Sequence, residues 1–340
     1  MSLSPAATQR LTDKPALPSE IAFKPISIYY EHPRWFDRMF AEFDRRGTPY
    51  RKVKADEHFF DPGTLGADQD VSIVFNRMSP SAYRRDRGPS ILHTINYLQH
   101  LELLGKRVIN GTKAYRFEIS KALQLSLLRS LGLPYPKSRV IQNSAHAAAA
   151  SEGLRFPVVI KPNVGGSGAG VVRFDSLADL AAATKDGGVD LGLDQVGLVQ
   201  EFIPARGGHI TRVEGLGGKF LYAIKVYLTG ETFDLCPADI CRTSEGVALD
   251  NACPVEAPKA GLKVEGYHPP ADVIADIERT FLTSGIDVGG IEYVIDDRDG
   301  QLYYYDINAL SNFVADAPKV VGFDPFVNLV DFLVEEASRV

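Results

Sequence analysis

The chain has 340 residues, and 37 Lys+Arg against 43 Asp+Glu leave a formal charge of −6. That balance argues against a general nucleic-acid binder, which needs a basic face for phosphate contacts, and no apolar run approaches the ~18 residues of a membrane span. With 45% hydrophobic and 24% charged residues, the composition is that of a soluble globular protein, and at roughly 100–200 residues per domain it predicts two or three packed units.

Residues 1–20 are rich in Ser, Pro, Thr and Ala and read as a flexible tail. They hold Arg10 and Lys14 but no apolar core, so they do not read as a secretory signal. Ile26–Tyr30 is a short β run. Pro33 then opens a helical stretch in which Trp35, Phe36, Met39, Phe40 and Phe43 share one face, and Gly47 ends it. An apolar run at Val71–Phe75, a helix at Ile91–Leu104 and a strand at Arg107–Asn110 complete a parallel α/β unit over 22–112.

A second unit, 113–203, opens with an amphipathic helix at Ile119–Leu131, stopped by Gly132 and Pro134. Phe156–Lys161 and Gly170–Phe174 are β runs flanking a glycine-rich loop. Ser176-x-x-Asp179 reads as a helix start, and Leu198–Ile203 as another strand. The third unit, 204–340, holds a hairpin within Thr211–Val226, a helix at Ala271–Ser284, a hairpin at Gly289–Asn308 and a closing helix near Pro325–Glu336. Cys236, Cys241 and Cys253 are an odd number without C-x-x-C spacing, which argues against disulfides or zinc and makes the cytoplasm the expected compartment.

The loop segment carries the first chemical signal. Gly165, Gly166, Gly168 and Gly170, with Ser167, form a backbone able to turn its N–H groups on phosphate oxygens, and Lys161 stands on the incoming strand. It lacks the Gly-Lys-Ser/Thr of a Walker loop and the G-x-G-x-x-G spacing of a dinucleotide fingerprint. A plain glycine-rich hairpin turn is the alternative.

The second signal is the hairpin around Arg298-Asp299-Gly300. If Asp297 faces Gln301, Glu292 faces Asp306, give or take one residue for a bulge, and Asn308 shares Asp306's face two residues on; an exposed polar sheet face is the alternative. Two carboxylates and an amide oxygen make a hard donor set suited to Mg²⁺ beside phosphates. Ile291, Tyr293, Ile295, Tyr303 and Ile307 are expected on the opposite, packed face. A third segment, Leu198–Ile203, carries Gln200 and Glu201 beside an apolar slot of Phe202 and Ile203, where an ordinary core strand is the competing reading.

In this order the segments resemble the ATP-grasp superfamily, most closely its glutathione-synthetase/RimK-like branch, over about residues 22–340. The resemblance implies an α/β fold, with an N-terminal Rossmann-like pre-ATP-grasp domain and two lobes clamping ATP. Lys121, ahead of Leu-Gly-Leu-Pro-Tyr-Pro136, is similar to the family's first nucleotide lysine and Lys161 to its second. Gly165, Gly166, Ser167 and Gly168 resemble the flexible loop over the phosphates, and Gln200, Glu201, Phe202 and Ile203 the adenine hinge. Glu292, Asp306 and Asn308 match the metal ligands. Arg212 matches the family's arginine beyond the hinge, but Gly208–Arg212 lacks the acidic residue many relatives place there for the ribose.

Many D-alanine-ligase-like relatives carry an arginine two residues before the first metal acid, and Gly290 stands there. Lys225 and Arg242 are the candidate replacements, with solvated surface charges as the alternative.

The resemblance implies an ATP-grasp ligase using ATP with one or two Mg²⁺ (or Mn²⁺). It would join a small-molecule carboxylate to an amine, an amino acid or peptide, through an acyl-phosphate, and a homodimer is compatible with it. Neither nucleic acid nor membrane is an expected partner. Arg77, beyond Val71–Phe75, could clamp a substrate carboxylate or form a surface salt bridge, and Ser311 and Asn312 could contact substrate or serve a turn. A phosphotransferase or synthase with another product, and a catalytically silent nucleotide-binding module, are the competing functions.

Overall fold

The computed structural model describes residues 23–166, 168–228 and 263–340. The expected tail, Ser167, Arg242 and the three cysteines lie outside the described residues.

The N-terminal unit runs β1 (Ile26–Tyr30), α1 (Asp37–Arg46), β2 (Tyr50–Lys54), β3 (Val74–Arg77), α2 (Gly88–Leu103) and β4 (Val108–Ile109). Its strands are parallel in the order β2-β1-β3-β4. Every residue of β1 is buried, Ser27 included, as expected of an inner strand of a parallel sheet covered on both faces. α1 buries Met39, Phe40 and Phe43. It starts at Asp37, which leaves Trp35 ahead of it, stacked on His32 at 4.1 Å. β2, an edge strand of Tyr-Arg-Lys-Val-Lys, had no apolar signal because it is only partly covered. β3 starts three residues later and ends two residues later than its apolar stretch suggests, so Arg77 ends the strand.

The expected helix at Ile119–Leu131 is two, α3 (Thr112–Glu118) and α4 (Lys121–Ser130). Ser120 divides them because its backbone is extended and its hydroxyl caps α4, accepting from Leu123 N at 3.2 Å. Leu125, Leu127 and Leu128 of α4 pack with Val273, Ile277 and Phe281 against the C-terminal sheet. α4 thus packs on the C-terminal lobe, while Tyr115 and Ile119 just before it join the core of the N-terminal unit. The small lobe has its own core, from Ile141 through Val158 and Phe174 to Val199.

That lobe contains β5 (Ser138–Ile141), α5 (Ala147–Ala150), β6 (Val158–Pro162), β7 (Val172–Phe174), α6 (Leu177–Thr184) and β8 (Gly197–Glu201), its sheet ordered β5-β8-β6-β7. β6 and β7 form the expected antiparallel pair around the glycine loop, and Ser176 caps α6.

The C-terminal lobe holds β9 (His209–Leu216), β10 (Lys219–Tyr227), β11 (Val264–Tyr267), α7 (Ala271–Ser284), β12 (Val288–Ile295), β13 (Leu302–Asn308), α8 (Ala317–Val320) and α9 (Pro325–Ala337). Its antiparallel sheet is ordered β11-β10-β9-β12-β13. Glu292 pairs with Asp306 as expected, but the register shifts between Glu292 and Tyr293. The bulge reverses the alternation on β13: Tyr304, not Tyr303, joins Ile291, Tyr293 and Ile307 on the α7 side, while Tyr303 and Tyr305 fall with Val294.

Asn110 locks the N-terminal unit to this lobe. With φ 51°, it donates to Val288 O at 2.7 Å and accepts from Asp287 N at 2.8 Å and Val288 N at 3.0 Å. Arg107 adds an ion pair to Asp287 at 2.7 Å.

Candidate active site

Four elements meet where the small lobe faces the C-terminal sheet. α4 presents Lys121 at its first turn, and its ammonium lies 2.7 Å from Asp306 Oδ1 on β13. Asn308, two residues along the same face, donates to Asp306 Oδ2 at 3.0 Å. On β12, Glu292 accepts from Arg212 Nη1 at 2.8 Å and from the Tyr305 hydroxyl at 2.8 Å. β6 brings Lys161, 6% exposed, from the opposite side. Asn163 ties the loop's base to α4, accepting from Ser120 Oγ and Ala122 N, while its carbonyl takes Lys121 N.

The electrostatics fit a site built for added charges of both signs. Burial pushes the Lys161 amine down to about 7, and the neighbouring Lys121 pushes the same way. Burial raises the Glu292 carboxyl above its usual range despite Arg212. Burial also opposes ionisation of Asp306, but the Lys121 ammonium outweighs it and holds this carboxyl below the usual range. A triphosphate would recharge Lys161, and a cation would favour ionisation of Glu292. Among the described residues no cluster of three His, Cys, Asp or Glu is present. The residues that could hold a cation are Glu292, Asp306 and the Asn308 amide, oxygen donors on one face of one hairpin and of the hard type that suits Mg²⁺.

The hinge residues come together in a small slot between the lobes, where Gln200, Glu201, Phe202 and Ile203 meet Val294 and Tyr305. Gln200 donates to Ser138 Oγ at 2.8 Å and Glu201 accepts from Arg155 N at 2.8 Å, so both side chains are engaged within the lobe. The apolar walls of the slot are Pro136, Val159, Phe202, Ile203, Val294 and Tyr305.

Three sequence assignments change. Lys225 lies on the α7 side of the sheet, away from Glu292, with its ammonium 4.4 Å from the Tyr267 ring centroid. Strand alternation dictates this, because Tyr222, Ile224 and Val226 take the other face.

Arg77 is neither a surface salt bridge nor open to solvent: it is 1% exposed and donates to Ser311 O and, at 2.9 Å, to Asn312 Oδ1. Ser311 and Asn312 are correspondingly held in a turn, with Ser311 Oγ accepting from Phe313 N at 3.3 Å.

The side-chain space at Gly290 is filled from the neighbouring strand. A Cβ there would lie 3.0 Å from Arg212 Nη2 and 2.9 Å from Glu214 Oε2. The sequence did not single out Glu214, which is fully buried and accepts from Arg212 Nε at 2.6 Å. Its place two residues after Arg212, on the same strand face, was the available signal.

No protein-family model matches the chain. It is similar to a D-alanine–D-alanine ligase of Pseudomonas entomophila, 34% identical over 77 residues, 23% of this chain and 24% of that protein. It is also similar to one of Acidovorax ebreus, 28% identical over 210 residues, 57% and 60% of the two chains. The first of these matches spans about a quarter of its relative's length. Solved structures align over nearly the whole chain. The ATP-grasp ligase PsnB complexed with a minimal precursor superposes with TM-score 0.62 at 18% identity, covering 92% of this chain and 99% of that one. The D-alanyl-alanine synthetase A of Vibrio cholerae gives 0.65 at 14%, covering 93% and 99%. The chain therefore shares the fold of the ATP-grasp ligase PsnB.

Proposed function

We propose that the protein is an ATP-dependent carboxylate–amine ligase. The observation that carries this is the meeting of Lys121 and Lys161 with Asp306, Asn308 and Glu292 beneath a glycine-rich loop: two cations for phosphates and three oxygen donors for the metal that accompanies them. Solved neighbours of the same fold include PsnB complexed with Mg and ADP, and with a precursor peptide and AMPPNP.

ATP lies with its base in the slot of Gln200, Glu201, Phe202 and Ile203 and its phosphates toward Lys121, Lys161 and the loop. Glu292, Asp306 and Asn308 would hold Mg²⁺, which would neutralise phosphate charge when bound. A substrate carboxylate oxygen attacks the γ-phosphorus and ADP leaves, giving an acyl-phosphate. An amine nitrogen then attacks the acyl carbon, phosphate leaves, and the amine loses a proton. Arg212 supplies the cation beside Glu292 that Gly290 cannot, and Arg77 positions the Ser311–Asn312 turn at the acceptor side. The substrates are a small carboxylate and an amine, an amino acid or peptide, and the compartment is the cytoplasm. No helix among the described residues is long and apolar enough to cross a membrane.

Chromatography of nucleotides after turnover with a panel of amino acids and small carboxylates tests the reading. The expected products are ADP and phosphate in step with amide formation. AMP and pyrophosphate as the products would overturn it.

A further inference from the structure

The glycine loop leans on the N-terminal unit. Val164, at its start, is 4% exposed and belongs to the core built by Met78, Ala82, Tyr115 and Ile119. A Cβ on Gly165 would lie 3.4 Å from Tyr83 Oη, and one on Gly166 would lie 3.8 Å from Ser81 Cβ. Tyr83 sits in a short 3₁₀ turn, Ala82–Arg85, just past the carboxyl end of β3, the edge at which parallel sheets present residues to ligands.

Its ring is half-buried and its hydroxyl has no hydrogen-bond partner among the described residues. Burial raises its pKa, a rise that the Arg84 guanidinium and, less, the Lys121 ammonium oppose. So a protonated phenol stands against the loop backbone at Gly165, with its donor uncommitted among the described residues. β6 runs from Val159 in the base slot past Lys161 to this loop, which directs the far end of a bound nucleotide toward Tyr83.

We propose that Tyr83 Oη donates a hydrogen bond to the terminal phosphoryl group of the nucleotide, making the N-terminal unit one wall of the phosphoryl-transfer pocket. The inference rests on the nucleotide reading above. Gly165 keeps the gap between loop and phenol open, because any side chain there would point at the hydroxyl.

Calorimetric titration of the full chain with Mg-ADP and with Mg-AMPPNP, for wild type and Tyr83→Phe, separates the two ideas. Losing a hydrogen bond to a charged oxygen should weaken AMPPNP about tenfold while ADP changes less than about twofold, with thermal melting unchanged. An unaltered AMPPNP-to-ADP affinity ratio, whether both nucleotides bind normally or both weaken alike, overturns the role of Tyr83. Wild-type protein that binds neither nucleotide overturns the nucleotide reading itself.

Discussion

Arg212 and Gly290 share one space. They lie on adjacent strands, and the guanidinium passes over the glycine so closely that a methyl group at 290 would stand 3.0 Å from Nη2 and 3.1 Å from Nε. From there Arg212 pairs with Glu292 at 2.8 Å and with Glu214 at 2.6 Å, so the space a side chain at 290 would take is held by a buried cation from β9.

Gly290→Ala should therefore act through Arg212. The added methyl must displace a fully buried Arg212–Glu214–Glu292 network, at a cost of about 1–3 kcal/mol in stability. Turnover should fall on the order of 10²-fold, the scale of losing a preorganised charge. Lys225→Ala, on the far face, should leave turnover within about twofold. Steady-state kinetics on both variants decides it; the reverse ranking would return the cationic role to Lys225.

Asp306→Asn keeps the shape of the hairpin and removes one charge from the metal face. It also strips Lys121 of its ion-pair partner at 2.7 Å. The expected outcome is a fold unchanged by circular dichroism, with kcat down about 10²-fold or more and a higher Mg²⁺ concentration for half-maximal activity. Near-normal rates at limiting Mg²⁺ would remove Asp306 from the ligand set.

The pairing of Glu292 with Asp306 was legible in the sequence by counting outward from the turn, although the turn itself is one residue off that count: Ile295 pairs with Leu302, not Tyr303, and only the bulge brings Glu292 opposite Asp306. The bulge at Tyr305 was not, since nothing local in Tyr303-Tyr304-Tyr305 says which aromatic is extra. α7 was read to the residue, since its apolar period and Gly285 mark both its face and its end. What escaped depends on partners distant in sequence. β2 is a strand because β1 offers it an edge. Arg77 is buried because residues 311–312 fold back onto it. Lys225 was misplaced because its face follows from β10's pairing with β9, which a charged residue on a half-buried strand does not announce.

Asn110→Ala tests how the N-terminal unit is held. The side chain satisfies backbone groups of Asp287, Val288 and Ala309, and its φ of 51° is one that asparagine tolerates better than alanine. Leaving buried donors and acceptors unpaired costs about 1–3 kcal/mol each, so chemical denaturation should show a loss of roughly 3 kcal/mol or more. A loss under about 1 kcal/mol would mean that the two units are joined by the remaining contacts, such as Arg107–Asp287, rather than by Asn110.

Lys161 gives nucleotide binding a pH dependence of definite sign. In the free protein its amine is pushed down to about 7, chiefly by burial, so at pH 8 it is mostly neutral. Polyphosphate beside it favours the ammonium and moves its pKa back toward the ordinary 10.5 or so. Binding must then take up a proton between about pH 7 and the raised value, and affinity must fall as pH rises through that window, by at most about tenfold per unit. Lys161→Arg keeps the charge but cannot lose it, so its affinity should be flatter over the same range. Calorimetry of ADP binding at pH 8, in two buffers of different ionisation heat, measures the uptake. Glu118 and Glu292, whose carboxyls burial also raises, are present in both proteins, so the difference between wild type and Lys161→Arg isolates the lysine. That difference should be close to one proton per nucleotide at pH 8 and near zero at pH 6. Equal uptake by the two proteins at pH 8 would mean that Lys161 is already charged before the nucleotide arrives, or that phosphate never reaches it.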